Sequence, residues 1–172
     1  AKDDRWLKNS LRIIVRTTMA DHFRREAAFN RAYEKLYPSL RNKGTFLFEY
    51  GHSLHKSGRY DESFECLDQA RLYSNDPMIL NIMGKNCQAL HEYKCAEAFF
   101  LISVSRLPGR IYPYYLLAKL YSEPNYRDKD KFEDMKWNVL NRTPKVHSTA
   151  IEEMRQEVEE LAKNWNTDYM EH

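Results

Sequence analysis

Glycine and proline are scarce, five and six in 172 residues. A turn-rich sandwich or barrel uses more of both, so their shortage points to helices. No apolar run approaches the roughly 18 residues of a membrane-spanning helix, and no basic-then-apolar segment opens the chain as a secretion signal would. Ala1 stands where an initiator Met would, which is read as the mark of an excerpt, with room upstream for a membrane segment or signal. Cysteine is nearly absent: Cys66, Cys87 and Cys95 are odd in number and form no C-x-x-C pair. That excludes a disulfide framework and a zinc site by spacing, and predicts three small core residues. Charge of one sign is lacking too, the balance being +2. No G-x-S-x-G, H-E-x-x-H, P-loop or G-x-G-x-x-G string occurs. What is present in quantity is apolar matter: 42 % of residues are hydrophobic and 13 % aromatic, enough for a real core.

The strongest positive signal is an internal echo. Tyr50-Gly51, Gly58-Arg59-Tyr60, Ser63, Leu67 and Ala70 are followed at a shift of 33 residues by Met83-Gly84, His91-Glu92-Tyr93, Ala96, Phe100 and Ser103. A period near 34 made of two helices is the tetratricopeptide signature. The fold class predicted is therefore all-α, a right-handed superhelix of antiparallel helix pairs with a C-terminal capping helix. Gly51, Gly84 and Ala118 are the small residues where paired helices cross, a close approach that larger side chains would forbid.

Along the chain the expectation is one helical domain over 1–172. Residues 1–43 form an eroded helix pair, Asp4–Thr18 with Leu7, Leu11, Ile14 and Thr18 on one face, then Asp21–Tyr37 with Phe23, Ala27, Tyr33 and Leu36 inward. Clear repeats cover 44–76 and 77–110. In the first of them Asp61 is the expected N-cap of the second helix, and Gly58 supplies the left-handed turn. A degenerate repeat covers 111–144, its second helix running from Asp130 to Leu140. Residues 145–172 hold the capping helix and a tail. Ile151, Met154, Val158, Leu161 and Trp165 form its apolar stripe, and Glu152, Glu153, Glu157 and Glu160 its polar faces. Half of a coiled coil is the alternative for this element, and so short a stripe favours the cap. Ser148 or Thr149 caps it, and Thr149 with Glu152 fits a capping box.

In such repeats the first helix of each pair lines the concave side. The candidate binding residues are therefore Phe48, His52 and His55, then Asn81, Lys85 and Gln88, then Tyr115 and Lys119, with Tyr112 at the rim. The set is aromatic, amide and cationic, suited to a protein or peptide ligand in the groove, or to a polysaccharide stacked on tyrosine rings. A generic polar helix face is the bland alternative. The pairing of two Lys and two Asn with which some eukaryotic repeats clamp a peptide carboxylate is missing, since Phe48, His52, Ile82 and Tyr112 occupy four of those positions. His52 and His55 share a face but no third ligand accompanies them, so no metal and no cofactor is expected. No nucleophile–base pair can be named, and the chain is read as non-catalytic. Residues 1–43 carry eleven Lys and Arg against five Asp and Glu. That basic N-terminal segment leaves binding to an anionic membrane surface or to nucleic acid as an alternative. Solvated helix faces are the simpler reading.

Several strings go beyond the generic repeat: Glu34-Lys-Leu-Tyr-Pro-Ser-Leu40, Phe46-Leu-Phe-Glu-Tyr-Gly51, Asp76-Pro-Met-Ile79 with Gly84-Lys-Asn86, Arg110-Ile-Tyr-Pro-Tyr-Tyr-Leu-Leu-Ala-Lys-Leu-Tyr121 and Lys145-Val-His-Ser-Thr-Ala-Ile151. Over about residues 34–155 the chain resembles the soluble C-terminal repeat tail of O-antigen ligase/polymerase-like membrane proteins of Gram-negative bacteria. The resemblance implies an accessory, non-catalytic interaction domain of a cell-envelope polysaccharide enzyme, on either the cytoplasmic or the periplasmic side. The membrane part of such a parent is not in this chain, and the first 30 residues depart from the tail.

Overall fold

The computed structural model describes the backbone of residues 2–167 and the side chains of residues 13, 17 and 20–165. Eight helices and no strand occur among them. The chain divides into two compact units, 1–74 and 75–172.

The first unit holds α1 (Lys2–Leu40), α2 (Gly44–Lys56) and α3 (Tyr60–Ala70). The expected break between Thr18 and Asp21 is absent, and α1 is one helix of 39 residues. Nothing in Thr17-Thr18-Met19-Ala20 removes a backbone donor or favours a left-handed turn, so the helix continues. Pro38 lies in its last turns. The face expected inward is corrected in part, Ala27 and Tyr33 being half-buried as expected. Phe23 and Leu36 are exposed, while Glu26 and Asn30 are buried. Leu7, Leu11, Ile14 and Thr18 lie outside the described side chains.

The burial of Glu26 and Asn30 has a polar cause. Ser53 of α2 donates to Asn30 Oδ1 at 2.7 Å and approaches Glu26 Oε2 at 3.2 Å, and Asn30 Nδ2 donates to Ser57 at 2.8 Å. Buried polar groups are tolerated when paired in this way. Beside them Tyr33 stacks on Tyr50 and meets Phe46 edge-on.

The α2–α3 pair closes as the repeat demands. Leu67 fills the space that Gly51 leaves, and a Cβ on Gly51 would stand 2.6 Å from it. Ser63 donates to the Gly51 carbonyl at 2.6 Å. Gly58 has φ 77°, and Arg59 N–H returns to the Leu54 carbonyl at 2.9 Å. This is the left-handed helix end that glycine favours. Asp61 does not cap α3. The helix starts one residue earlier, and the cap position belongs to Arg59, whose side chain pairs with Glu62 instead.

The second unit holds α4 (Pro77–Ala89), α5 (Tyr93–Arg106), α6 (Tyr112–Tyr121), α7 (Lys129–Asn141) and α8 (Thr149–Thr167). Asp76 caps α4 by accepting from Met78 N–H at 2.9 Å, with Pro77 at the first turn where its missing donor costs nothing. Phe100, fully buried, occupies the space over Gly84. The turn between α4 and α5 copies that of the first unit, with Glu92 N–H bonded to the Cys87 carbonyl at 2.8 Å. Here, however, His91 rather than glycine adopts positive φ, 61°.

Asp128 caps α7 by accepting from Lys131 N–H at 3.1 Å, so that helix extends the expected 130–140 by one residue at each end. The stripe of α8 is seated as expected, with Val158 and Trp165 buried. Trp165 stacks on Phe132 of α7 at 5.0 Å. Arg155 pins α8 to the end of α7 through the carbonyls of Val139 and Arg142, at 3.1 and 2.9 Å. Since α8 already starts at Thr149, the cap position is Ser148, which is out of register for a box with Glu152.

Candidate functional site

In the first unit the helix period of α2 carries Phe48, His52 and His55 to one half-buried face. The Phe48 ring lies 6.1 Å from that of His52, and the His55 ring lies 5.5 Å from Tyr60. These rings engage neighbours of their own unit.

In the second unit the spacing of α4, α6 and α8 assembles a connected polar strip. Lys85 of α4 reaches Tyr112 Oη at 3.5 Å. Tyr112 stacks on Tyr115, one turn along α6, at 6.1 Å. Tyr115 donates its phenol to Glu157 of α8. Lys119 pairs with Glu157 Oε1 at 3.0 Å and lies 5.3 Å over the Tyr115 ring. Gln88 is engaged at the side, donating to Glu123 at 2.8 Å. Asn81 stands apart from these, since it is only 3 % exposed and its Oδ1 has no partner among the described residues.

The electrostatics of the strip follow from this geometry. Burial opposes the Lys119 charge, but the oxygens of Glu157 and Tyr115 more than offset it, and the Lys119 pKa rises. Burial likewise opposes ionisation of Glu157, and the bonds from Tyr115 and Lys119 reverse the outcome, so its pKa falls below the usual carboxylate value. Tyr115 is pushed up by burial and by the adjacent carboxylate. Lys119 and Glu157 are thus a charged pair at neutral pH, bridged by the neutral Tyr115 phenol. Glu157 is the member that sequence reasoning missed. It was assigned to the solvated side of α8, although its position next to Val158 and three residues past Met154 places it at the edge of the apolar stripe.

A second cluster pins the lengthened turn before α7. Glu97 of α5 accepts from Tyr121 at 2.8 Å, from Tyr126, and from Lys131 at 3.1 Å. Burial works to raise the Glu97 pKa, yet these three donors lower it, and Tyr126 in turn is pushed up to about 12 by its bond to Glu97.

The cysteines need a correction. Cys87 and Cys95 are joined as a disulfide between α4 and α5. Eight residues separate them, a spacing outside the C-x-x-C pattern, and only the helix hairpin brings them together. With Glu92 they form the one group of metal-type ligand atoms among the described residues, all within 4.8 Å of one another. Cys66 remains free and buried, its thiol pushed up to about 12 by burial, which makes it inert. His52 and His55 belong to no such ligand group.

The helix pairs, the glycine crossings and the capping helix together define an all-α repeat protein of the tetratricopeptide type. The fold is similar to the crystal structure of MamA, a helical repeat protein, with a TM-score of 0.60 over 83 % of this chain and 90 % of that one, at 14 % identity. No family model and no curated protein matches the sequence. No helix among the described residues is long and apolar enough to cross a membrane.

Proposed function

We propose that this chain is a non-catalytic protein-interaction module, and that its second unit recognises a partner through the strip of Lys85, Tyr112, Tyr115 and Lys119. The observation that carries this reading is the strip itself. Two helices place two cations and two stacked tyrosines along one half-buried path, and none of the four residues is required by the helix crossings. Half-buried aromatic and cationic side chains suit a polypeptide ligand, which can fill the apolar faces and pair with the charges. The resemblance of several strings to O-antigen ligase/polymerase-like tails supports a finer reading, an accessory domain of a cell-envelope polysaccharide enzyme.

The test is affinity capture from envelope extracts of the source cell with the chain as bait. The expected result is recovery of a glycan-assembly protein, and loss of that protein when Lys85→Ala and Tyr115→Ala are combined. Recovery undiminished by the double variant would remove the strip from the proposal. Recovery of partners unrelated to the envelope would remove the finer reading.

A further inference from the structure

Two of the strings that no slot of the repeat explains, around Arg110 and around Lys145, meet in space. They line a pocket of about 400 Å³ between the start of α6 and the start of α8. Ile111, Tyr112, Pro144, Val146, Ile151 and Met154 are among its apolar lining, and Arg110 and Lys145 stand with them. No acidic residue lines it. Val146 is 74 % exposed, unusual for a large apolar side chain next to a cavity.

The pocket is held open by neighbours. Arg142 donates to the Pro108 carbonyl at 3.1 Å and covers the Tyr114 ring at 4.5 Å. Tyr114 donates to the same carbonyl at 3.2 Å. Arg155 holds the Arg142 carbonyl. These contacts fix both loops, and the arginines that make them are fully engaged. Arg110 and Lys145 differ, for their side chains make no hydrogen bond or ion pair among the described residues. The first turns of α6 and α8 also open here, adding the partial positive charge of helix N-termini. An apolar floor under an unpaired positive rim is complementary to an apolar group flanked by negative charge.

We infer that this pocket docks an acidic segment of a partner polypeptide, one apolar side chain lying against Ile111, Ile151 and Met154 and a flanking carboxylate between Arg110 and Lys145. A volume at the small end of the usual range for ligand sites fits one side chain and its neighbours. The two unpaired cations are too few for a nucleic-acid track. The inference rests on reading the chain as a protein-binding module, and the pocket adjoins the Lys85–Lys119 strip at Tyr112, which belongs to both.

The experiment follows the methyl resonances of Ile111, Ile151 and Met154 in the full chain. One arm adds a pool of end-capped octapeptides, each with a single Leu, Ile or Phe flanked by Asp or Glu. A second arm uses the same pool with Asn and Gln in place of the acids, and a third uses sodium laurate. Saturable shifts at the three methyls with the acidic pool are expected, weakened about tenfold or more in the neutral pool and in the Arg110→Gln, Lys145→Gln double variant. Lys119→Ala, whose bonds run to Glu157 and Tyr115 rather than to a pocket-lining residue, is expected to leave these shifts in place, which separates the pocket from the strip. Absence of shifts at the three methyls, an equal response to the neutral pool, or tighter binding of laurate would each overturn the proposal.

Discussion

Replacing Gly84 with Ala should destabilise the second unit, against the usual rule that Ala stabilises a helix. A Cβ at Gly84 would stand 2.4, 2.6 and 3.0 Å from three atoms of the Phe100 ring. Carbon atoms in contact prefer about 3.5–4.0 Å, so the ring must retreat by about 1 Å. Phe100 is fully buried, so any retreat pushes on its packed neighbours. Overpacking of this kind costs about 1–3 kcal/mol, and a rigid aromatic obstacle places it near the top of that range. The gain in helix propensity offsets about 1 kcal/mol. The net expectation is a loss of about 2 kcal/mol, measured by denaturant unfolding followed by circular dichroism. Gly109→Ala is the control, since a Cβ there meets nothing within 4 Å. Phe100→Leu should lower stability on its own, yet partly rescue Gly84→Ala, with a coupling of at least about 1 kcal/mol. If Gly84→Ala instead raises stability, or the two changes prove additive, then this crossing is not what fixes glycine at that position.

Three other changes test separate parts of the structure. His91 holds φ 61° at the place where the first unit has Gly58, so His91→Gly should stabilise by up to about 1 kcal/mol, less whatever its 2.9 Å contact with the Tyr93 hydroxyl contributes; a loss of stability would show that this contact outweighs the backbone strain. Reducing the Cys87–Cys95 bond should lower unfolding stability by about 2.5 kcal/mol on the chain-entropy estimate for so short a loop, and a thiol count that rises by two without any change in stability would refute this. The Glu97 pKa lies below its usual value in the folded chain, so its stabilisation is present above the unfolded carboxylate pKa and is lost as pH falls through the folded one. Glu97→Gln should therefore flatten the acid side of the stability profile and bring Tyr126 down from about 12 toward an ordinary tyrosine value in an ultraviolet titration; an unchanged Tyr126 titration would contradict the assigned bond.

The repeat core was readable because its slots are dictated by local geometry. Gly51, Leu67, Gly84 and Phe100 each stand where two helices cross, and a 33-residue shift exposes them. The face of α1 was not readable, because its buried residues are polar. Glu26 and Asn30 look solvent-facing until Ser53 and Ser57, more than twenty residues away, are seen to satisfy them. The cysteine pair escaped for a related reason: its spacing is set by a helix hairpin and matches no familiar pattern. The candidate strip was legible in part. The period placed Tyr115 and Lys119 on one helix face, but the partner that engages both comes from a helix whose register with α6 no local rule specifies.

On the proposed reading of the strip as a binding site, Glu157 makes it a site that already contains an acid. A ligand carboxylate arriving at Lys119 finds the position taken and must displace the one that α8 provides. The free energy available to it is the difference between two carboxylates rather than the value of one. An acidic group is therefore discriminated against at this point, while a neutral donor or an aromatic face, which leaves Glu157 in place, is not. Any ligand that does win the exchange removes one of the ties between α6 and α8, so occupancy of the strip would be felt at the end of the chain.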